Sequence, residues 1–204
     1  SWIARAAWIL TGFSLTSGFW WALEAGAVVG LFDAPSTGTR IAFAVVTMPL
    51  ALLAGTYTAF LFAQAEGRDF WQSPVTALHM LLQTAYMGGL LTLTTSLFAD
   101  LPDGWSGVIS GITIGALVLS AASMLAELYT PRASDTAARA QHRIRTKWTK
   151  EVYGGGLALG IIVPLLLTAT GSPFAALIAL ISAGAGLYQW QLAYVTAPQR
   201  VPNS

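Results

Sequence analysis

The chain has 204 residues, of which 55% are hydrophobic and 9% charged, with a formal net charge of +1. A soluble domain carries about 25% charged residues, so this composition, with a mean hydropathy of +0.63, describes an integral membrane protein. Cysteine is absent and the histidines are two, His79 and His142; this excludes disulfides, iron–sulfur ligation and a catalytic zinc site made by this chain alone, and the near-zero charge implies no bulk attraction to nucleic acid.

A spanning helix needs about 20 mostly apolar residues, and six segments qualify. They are expected at about 2–31, 39–65, 73–99, 107–128, 152–170 and 173–196. Turn chemistry separates them: "DAPSTG", "EGRD", "DLPDG", a long stretch from Tyr129 to Glu151, and a tight "TGSP". Barrel strands are disfavoured, because the runs are too long and lack alternation. The fold class expected is therefore all-α, one transmembrane helical domain over 1–204. The opening "SWIARAAWIL" lacks a methionine and any small-residue cleavage site, so it reads as part of a longer polypeptide and not as a signal peptide. Pro49 and Pro164 fall inside spans, which requires neighbours to satisfy the carbonyls they free. The glycines of 154–156 and 184–186 suit close helix packing. Trp2, Trp8, Trp71, Trp105, Trp148 and Trp190 fall near span ends, where interfacial tryptophans anchor helices.

Let side A be the side on which the first span begins. Arg5, Arg68, Arg132, Arg139, Arg143, Arg145, Lys147, Lys150 and Arg200 then lie on side A, and Arg40 alone on side B. The positive-inside rule places side A, with loop 129–151 and the C-terminus, in the cytoplasm of a cell-membrane protein. Six of these cations share the loop "PRASDTAARAQHRIRTKWTKE". Its spacing can form an amphipathic helix with Ala137, Ala140 and Ile144 on one face, either a solvated interfacial helix or a docking surface.

Polar groups inside a bilayer are costly and tend to mark function. His79, Gln83 and Tyr86 recur at i, i+4, i+7 on the third span and so share a face. Tyr57 and Gln64 are seven apart on the second. His79 lies roughly 9 Å inside side A and Tyr57 roughly 12–15 Å, at 1.5 Å per residue; the short loop between their helices lets them line one pocket. Trp71 would close that pocket at the interface. Each of these residues also has a plainer reading, as a packed aromatic or a structural hydrogen bond. A second set, Ser120, Ser123 and Glu127, ends the fourth span at side A; on the sixth, Tyr188, Gln191 and Tyr194 climb towards it. Glu24, near side B, is either a proton relay or an acid that snorkels to the interface. No nucleophile–base pair, phosphate loop or pair of haem-holding histidine helices is present. A phenol, an imidazole and amides near one surface suit a quinone, whose carbonyls need donors and whose reduction needs protons that imidazole can shuttle.

Four motifs in order carry a resemblance. "RAAWIL", "GTYTAFLFA" followed by "GRDFWQSP", "VYGGGLALGIIVPLLL" and "YVTAPQRVPNS" resemble successive segments of the NrfD/polysulfide reductase membrane-subunit family, from its third helix to its C-terminus. The resemblance implies the C-terminal part of a bundle of eight or more helices, a quinone-reactive anchor (menaquinone or ubiquinone) without metal or haem of its own. It implies a four-cluster iron–sulfur partner docked on side A, commonly with a molybdopterin catalytic subunit. It matches Tyr57 to the family's quinone-site tyrosine; the reading of the polar residues above adds His79, Gln83, Trp71 and Gln64 as quinone-binding candidates and Glu24, Glu127 and Ser120 as relay candidates. The sequence departs from the pattern in lacking the first two helices, in Ala59 where glycine is common, and in His79. In many members side A faces the periplasm; the charge count here favours the cytoplasm. A proton-translocating or transporter subunit, and a purely structural anchor, are the rival readings.

Overall fold

A computed structural model describes residues 2–65 and 68–202. Glu66 and Gly67 of the second break, and Asn203 and Ser204 of the C-terminal motif, lie outside the described residues. The described chain is all helical: α1 (Trp2–Val28), α2 (Thr37–Ala63), a 3-10 turn (Asp69–Gln72), α3 (Val75–Thr95), α4 (Trp105–Tyr129), α5 (Asp135–Lys147), a π-helix (Lys150–Ile162) that continues into α6 (Val163–Thr168), and α7 (Pro173–Gln199). It forms two compact units, Ser1–Leu61 and Phe62–Ser204.

The first unit holds α1 and most of α2. Gly30 ends α1 at φ 75°, with Leu31 N donating to Gly26 O at 2.8 Å and Gly30 N to Ala27 O at 3.1 Å. This is a Schellman stop, which wants a residue without Cβ in the left-handed conformation. Ser36 opens α2 by accepting from Thr39 N at 3.1 Å. Trp2 stacks on Phe60 at 4.5 Å. At the other end of this helix pair, Arg40 Nε donates to Glu24 Oε1 at 2.7 Å and its NH2 to Oε2 at 2.8 Å, with Trp20 Nε1 on the same carboxylate at 3.2 Å.

In the second unit α3 packs on α4 and α7, and the π-helix packs on α7. Helix α3 begins where the sequence expects a start, just after Pro74, which has no N–H to donate. The 3-10 turn before it puts Phe70 and Trp71 into the core. Helix α5 buries Ala137, Ala140 and Ile144 and exposes Arg139, His142 and Lys147; Ser134 caps it by accepting from Ala137 N. Gln141 Nε2 donates to the carbonyls of Glu127 at 2.9 Å and Thr130 at 2.8 Å, so orphan carbonyls at the end of α4 are satisfied by α5.

Among the described residues, four helices are long and apolar enough to cross a membrane: Thr37–Ala63, Trp105–Tyr129, Lys150–Thr168 and Pro173–Gln199. Of the six expected spans, α1 and α3 fall short on apolarity. For α3 the reason is visible: His79, Gln83, Tyr86, Thr76 and Thr94 all face inward and are buried, so its average polarity reports its inner face.

The π-helix is where the glycines gather. Five-residue hydrogen-bonded turns are wide and rare. A Cβ on Gly155 would overlap the Gln189 side chain, and one on Gly160 would lie 3.2 Å from the Gly186 backbone. The widened helix is therefore pressed against α7 backbone to backbone. Pro164 cannot donate to Leu159 O, the acceptor that continues the pattern set by Val163 N on Ala158 O. Ser182 Oγ of α7 donates to that carbonyl instead, at 2.7 Å, which is the repair a membrane proline requires.

Gly186→Ala is expected to cost about 1–3 kcal/mol by overpacking, read as a lower unfolding midpoint in detergent. Gly115→Ala, where a Cβ meets nothing within 4 Å, leaves the midpoint unchanged or raises it.

Candidate functional site

A polar column runs through the second unit where α3, α4 and α7 meet. The i, i+4, i+7 spacing brings His79, Gln83 and Tyr86 onto the inner face of α3, all buried. Opposite stand Ser120, Ser123 and Glu127 of α4, also buried. Helix α7 contributes Trp190, Gln191 and Tyr194. Gln191 Nε2 donates to Gln83 Oε1 at 3.0 Å, and Tyr194 OH bonds Thr76 Oγ1 at 2.8 Å. The Trp190 ring meets His79 edge-on at 5.5 Å.

His79 Nδ1 lies 2.7 Å from Ser123 Oγ, and Ser123 Oγ lies 3.0 Å from Ser120 O. A serine has one hydrogen to give. Both contacts are met together when Ser123 donates to the carbonyl and His79 Nδ1–H donates to Ser123. Nε2 then carries the lone pair. Among the described residues Nε2 has no hydrogen-bond partner, and neither has Ser120 Oγ. The imidazole, 5% exposed, thus holds its basic nitrogen unbonded in the interior.

Two small cavities adjoin that ring. One, about 10 Å³, is lined by Thr76, His79, Glu127, Gln191 and Tyr194 among others. The second, also about 10 Å³, is lined by His79, Gln83, Tyr86 and Ser120 among others. Each is about the size of one water and has polar walls to hold it. Neither takes a quinone ring, which needs a pocket of several hundred Å³.

Glu127 is 2% exposed and well supplied with partners. Ser73 Oγ donates to Oε1 at 2.5 Å, and Arg132 pairs with Oε2 while donating to the Glu127 carbonyl at 2.5 Å. The Arg132 guanidinium also lies 4.7 Å over the Phe70 ring. A cleft of about 460 Å³ opens at the α5 end of the unit, lined by Asp69, Gln72, Ser73, Glu127, Arg132 and Ser134 among others. Among the described residues, Glu127 alone lines both this cleft and the inner cavity at His79. A second cleft of about 560 Å³ opens at the opposite end, lined in part by Ser96, Asp100, Ser110 and Thr168.

The expected site residues are distributed as follows. His79, Gln83, Ser120 and Glu127 belong to one column. Trp71 is in the core, not at a rim: it is 8% exposed, its Nε1 donates to Tyr194 O at 3.1 Å, and Phe62 stacks on it at 5.0 Å. Trp190 likewise is core and not an interface anchor, at 2% exposure, because its ring packs between His79 and Tyr194. Gln64 is exposed in the turn beyond α2. Tyr57 is half-buried on α2 in the first unit. Glu24 of that unit is committed to Arg40. Ser73 and Arg132 were not expected; a serine and an arginine in the two loops flanking a buried acid were the available signal. Among the described residues no group of three or more acidic or histidine side chains gathers as a metal site.

The fold and this column define a multi-pass α-helical membrane protein with a buried polar column. The family model for Polysulphide reductase, NrfD matches residues 9–193, and the chain belongs to that family, the membrane subunits of polysulfide reductase-type respiratory complexes. No curated protein and no solved structure is significantly similar to it.

Arg132→Ala strands a buried carboxylate and is expected to cost about 3–5 kcal/mol, read by denaturation in detergent. Arg40→Gln, at a pair whose side chains are 48% and 35% exposed, gives a far smaller shift.

Proposed function

We propose that the chain is the quinone- or quinol-reactive membrane anchor of a respiratory oxidoreductase, exchanging electrons with an iron–sulfur subunit, commonly with a molybdopterin catalytic subunit beyond it. The observation that carries the reading is the unbonded His79 Nε2, a base held ready inside a membrane bundle of the NrfD family. A structural imidazole would be expected to have both nitrogens bonded.

Bound quinone supplies a two-electron, two-proton couple. Tyr57 would hold a quinone carbonyl through its phenol, as the family resemblance implies. His79 moves protons: Nε2 accepts one, Nδ1–H stays on Ser123, and the ring returns to neutral when it gives the proton up. Gln83, fixed by Gln191, keeps the inner cavity polar. The water-sized space beside His79 supports proton handling there and not direct contact with a ring.

All six long helices cross the membrane in this reading. Helix α3, at 21 residues, reaches about 30 Å by its rise, the thickness of the hydrocarbon core. Its polar residues are shielded by α4 and α7. The nine-to-one cation bias supports α5 and the C-terminus in the cytoplasm, facing the partner; the cationic outer face of α5 is the docking surface.

Tyr57→Phe is expected to lower quinol-coupled turnover of the assembled complex about tenfold, with dye-linked activity of the catalytic partner intact. Full turnover would remove Tyr57 from the site. A C-terminal green fluorescent reporter should fluoresce, while alkaline phosphatase fused there should be inactive; the reverse pattern would invert the topology.

A further inference from the structure

We propose that Glu127 and His79 form a proton relay that opens to the α5 face only. The inference rests on the quinone reading above and adds the route and side of proton exchange.

Three observations carry it. Glu127 is the residue shared by the α5-end cleft and the inner cavity, so it forms the neck between solvent and His79. His79 in turn lines both inner cavities, so it links the neck to Ser120, Gln83 and Tyr86. Two polar atoms along this line, His79 Nε2 and Ser120 Oγ, are buried and unbonded among the described residues. Groups that lack partners beside water-sized spaces are placed to bond mobile water.

The line stops beyond Ser120. One turn further along α4 stands Leu117, fully buried, and on α3 one turn beyond Tyr86 stands Leu90, also fully buried. The next inward polar residue of α4, Thr113, spends its hydroxyl hydrogen on Ile109 O at 2.7 Å. The 560 Å³ cleft at the opposite end is thus cut off from the column by apolar side chains. Access is one-sided.

The chemistry is transfer of protons alone. The Glu127 carboxylate takes a proton from hydronium in the cleft, forming an O–H bond and leaving water, and its pairing with Arg132 is given up for that step. That bond breaks as water in the inner cavity passes a proton to His79 Nε2, forming N–H. The Nε2–H bond then breaks as the proton passes, through water, to an oxygen of the quinone that the two electrons reduce, and His79 is neutral again. Two such passages match the two electrons that the reduced iron–sulfur partner delivers; quinol oxidation runs them in reverse.

The test uses the whole complex in proteoliposomes. Glu127→Gln is expected to lower kcat with quinone about a hundredfold while KM for quinone stays unchanged, and Glu127→Asp is expected to restore part of it. Ser120→Ala removes a hydroxyl with no bond among the described residues, so packing alone predicts no change; the relay predicts about a fivefold loss of kcat. A pH dye on each side should report proton uptake at the α5 face. A readout independent of turnover is available because the chain has two histidines: with ¹⁵N-histidine in this chain, ring N–H exchange of His79 into D2O should slow in Glu127→Gln. If Glu127→Gln fails to assemble, Ser120→Ala and the pH dye decide. Wild-type kcat in both variants, a change confined to KM, or uptake at the opposite face overturns the relay and leaves the quinone reading standing. A wild-type complex with no quinone turnover overturns both.

Discussion

A carboxylate buried at the end of a membrane helix cannot stand alone, and Glu127 shows what the fold does about it. Desolvating that charge costs several kcal/mol unless partners repay it. Ser73 comes from the loop before α3, Arg132 from the loop after α4, and Gln141 of α5 takes the carbonyl of the same residue. Arg132 in turn rests on Phe70 of the 3-10 turn. One acid thereby ties together the segment before α3, the loop after α4 and helix α5. Glu127 also lines both the cleft at that end and the small cavity beside His79.

Much of this was legible in the chain. Helix positions followed from apolar length, and the ends moved by only a few residues where Pro74 and the Tyr129 region set them. The inner face of α3 followed from the i, i+4, i+7 spacing of His79, Gln83 and Tyr86. The amphipathic pattern of residues 135–147 corresponds to α5. What the sequence hid was which polar groups meet. Spacing along α7 suggested Tyr188, Gln191 and Tyr194 as a set, yet Tyr188 is 66% exposed, and Trp190 takes the inner place. A tryptophan near a span end reads as an anchor, because nothing in one helix reveals the imidazole it packs against. Ser73 and Arg132 were invisible for the same reason: their partner lies 54 and 5 residues away, across loops whose geometry is set by the fold.

The first unit answers a narrower question. Glu24 could have been a relay or a snorkelling acid; it is the partner of Arg40, with both carboxylate oxygens and Trp20 engaged. Glu24 lines none of the cavities described above, whereas Glu127, itself fully partnered, lines two. That separates it from His79, whose free nitrogen is the feature that makes the second unit chemically interesting.

The π-helix has a mechanical consequence for the lipid around it. Lys150–Thr168 contains 19 residues, which as a regular α-helix would reach about 28 Å. Wider turns pack more residues into each ångström of axis, so the segment is shorter than that. The hydrocarbon core is about 30 Å thick. A span shorter than the core is accommodated by a thinner bilayer, by flanking side chains such as Lys150 snorkelling, or by association with other helices. Crossing a membrane, a segment so shortened favours a bilayer thinner than average on this flank.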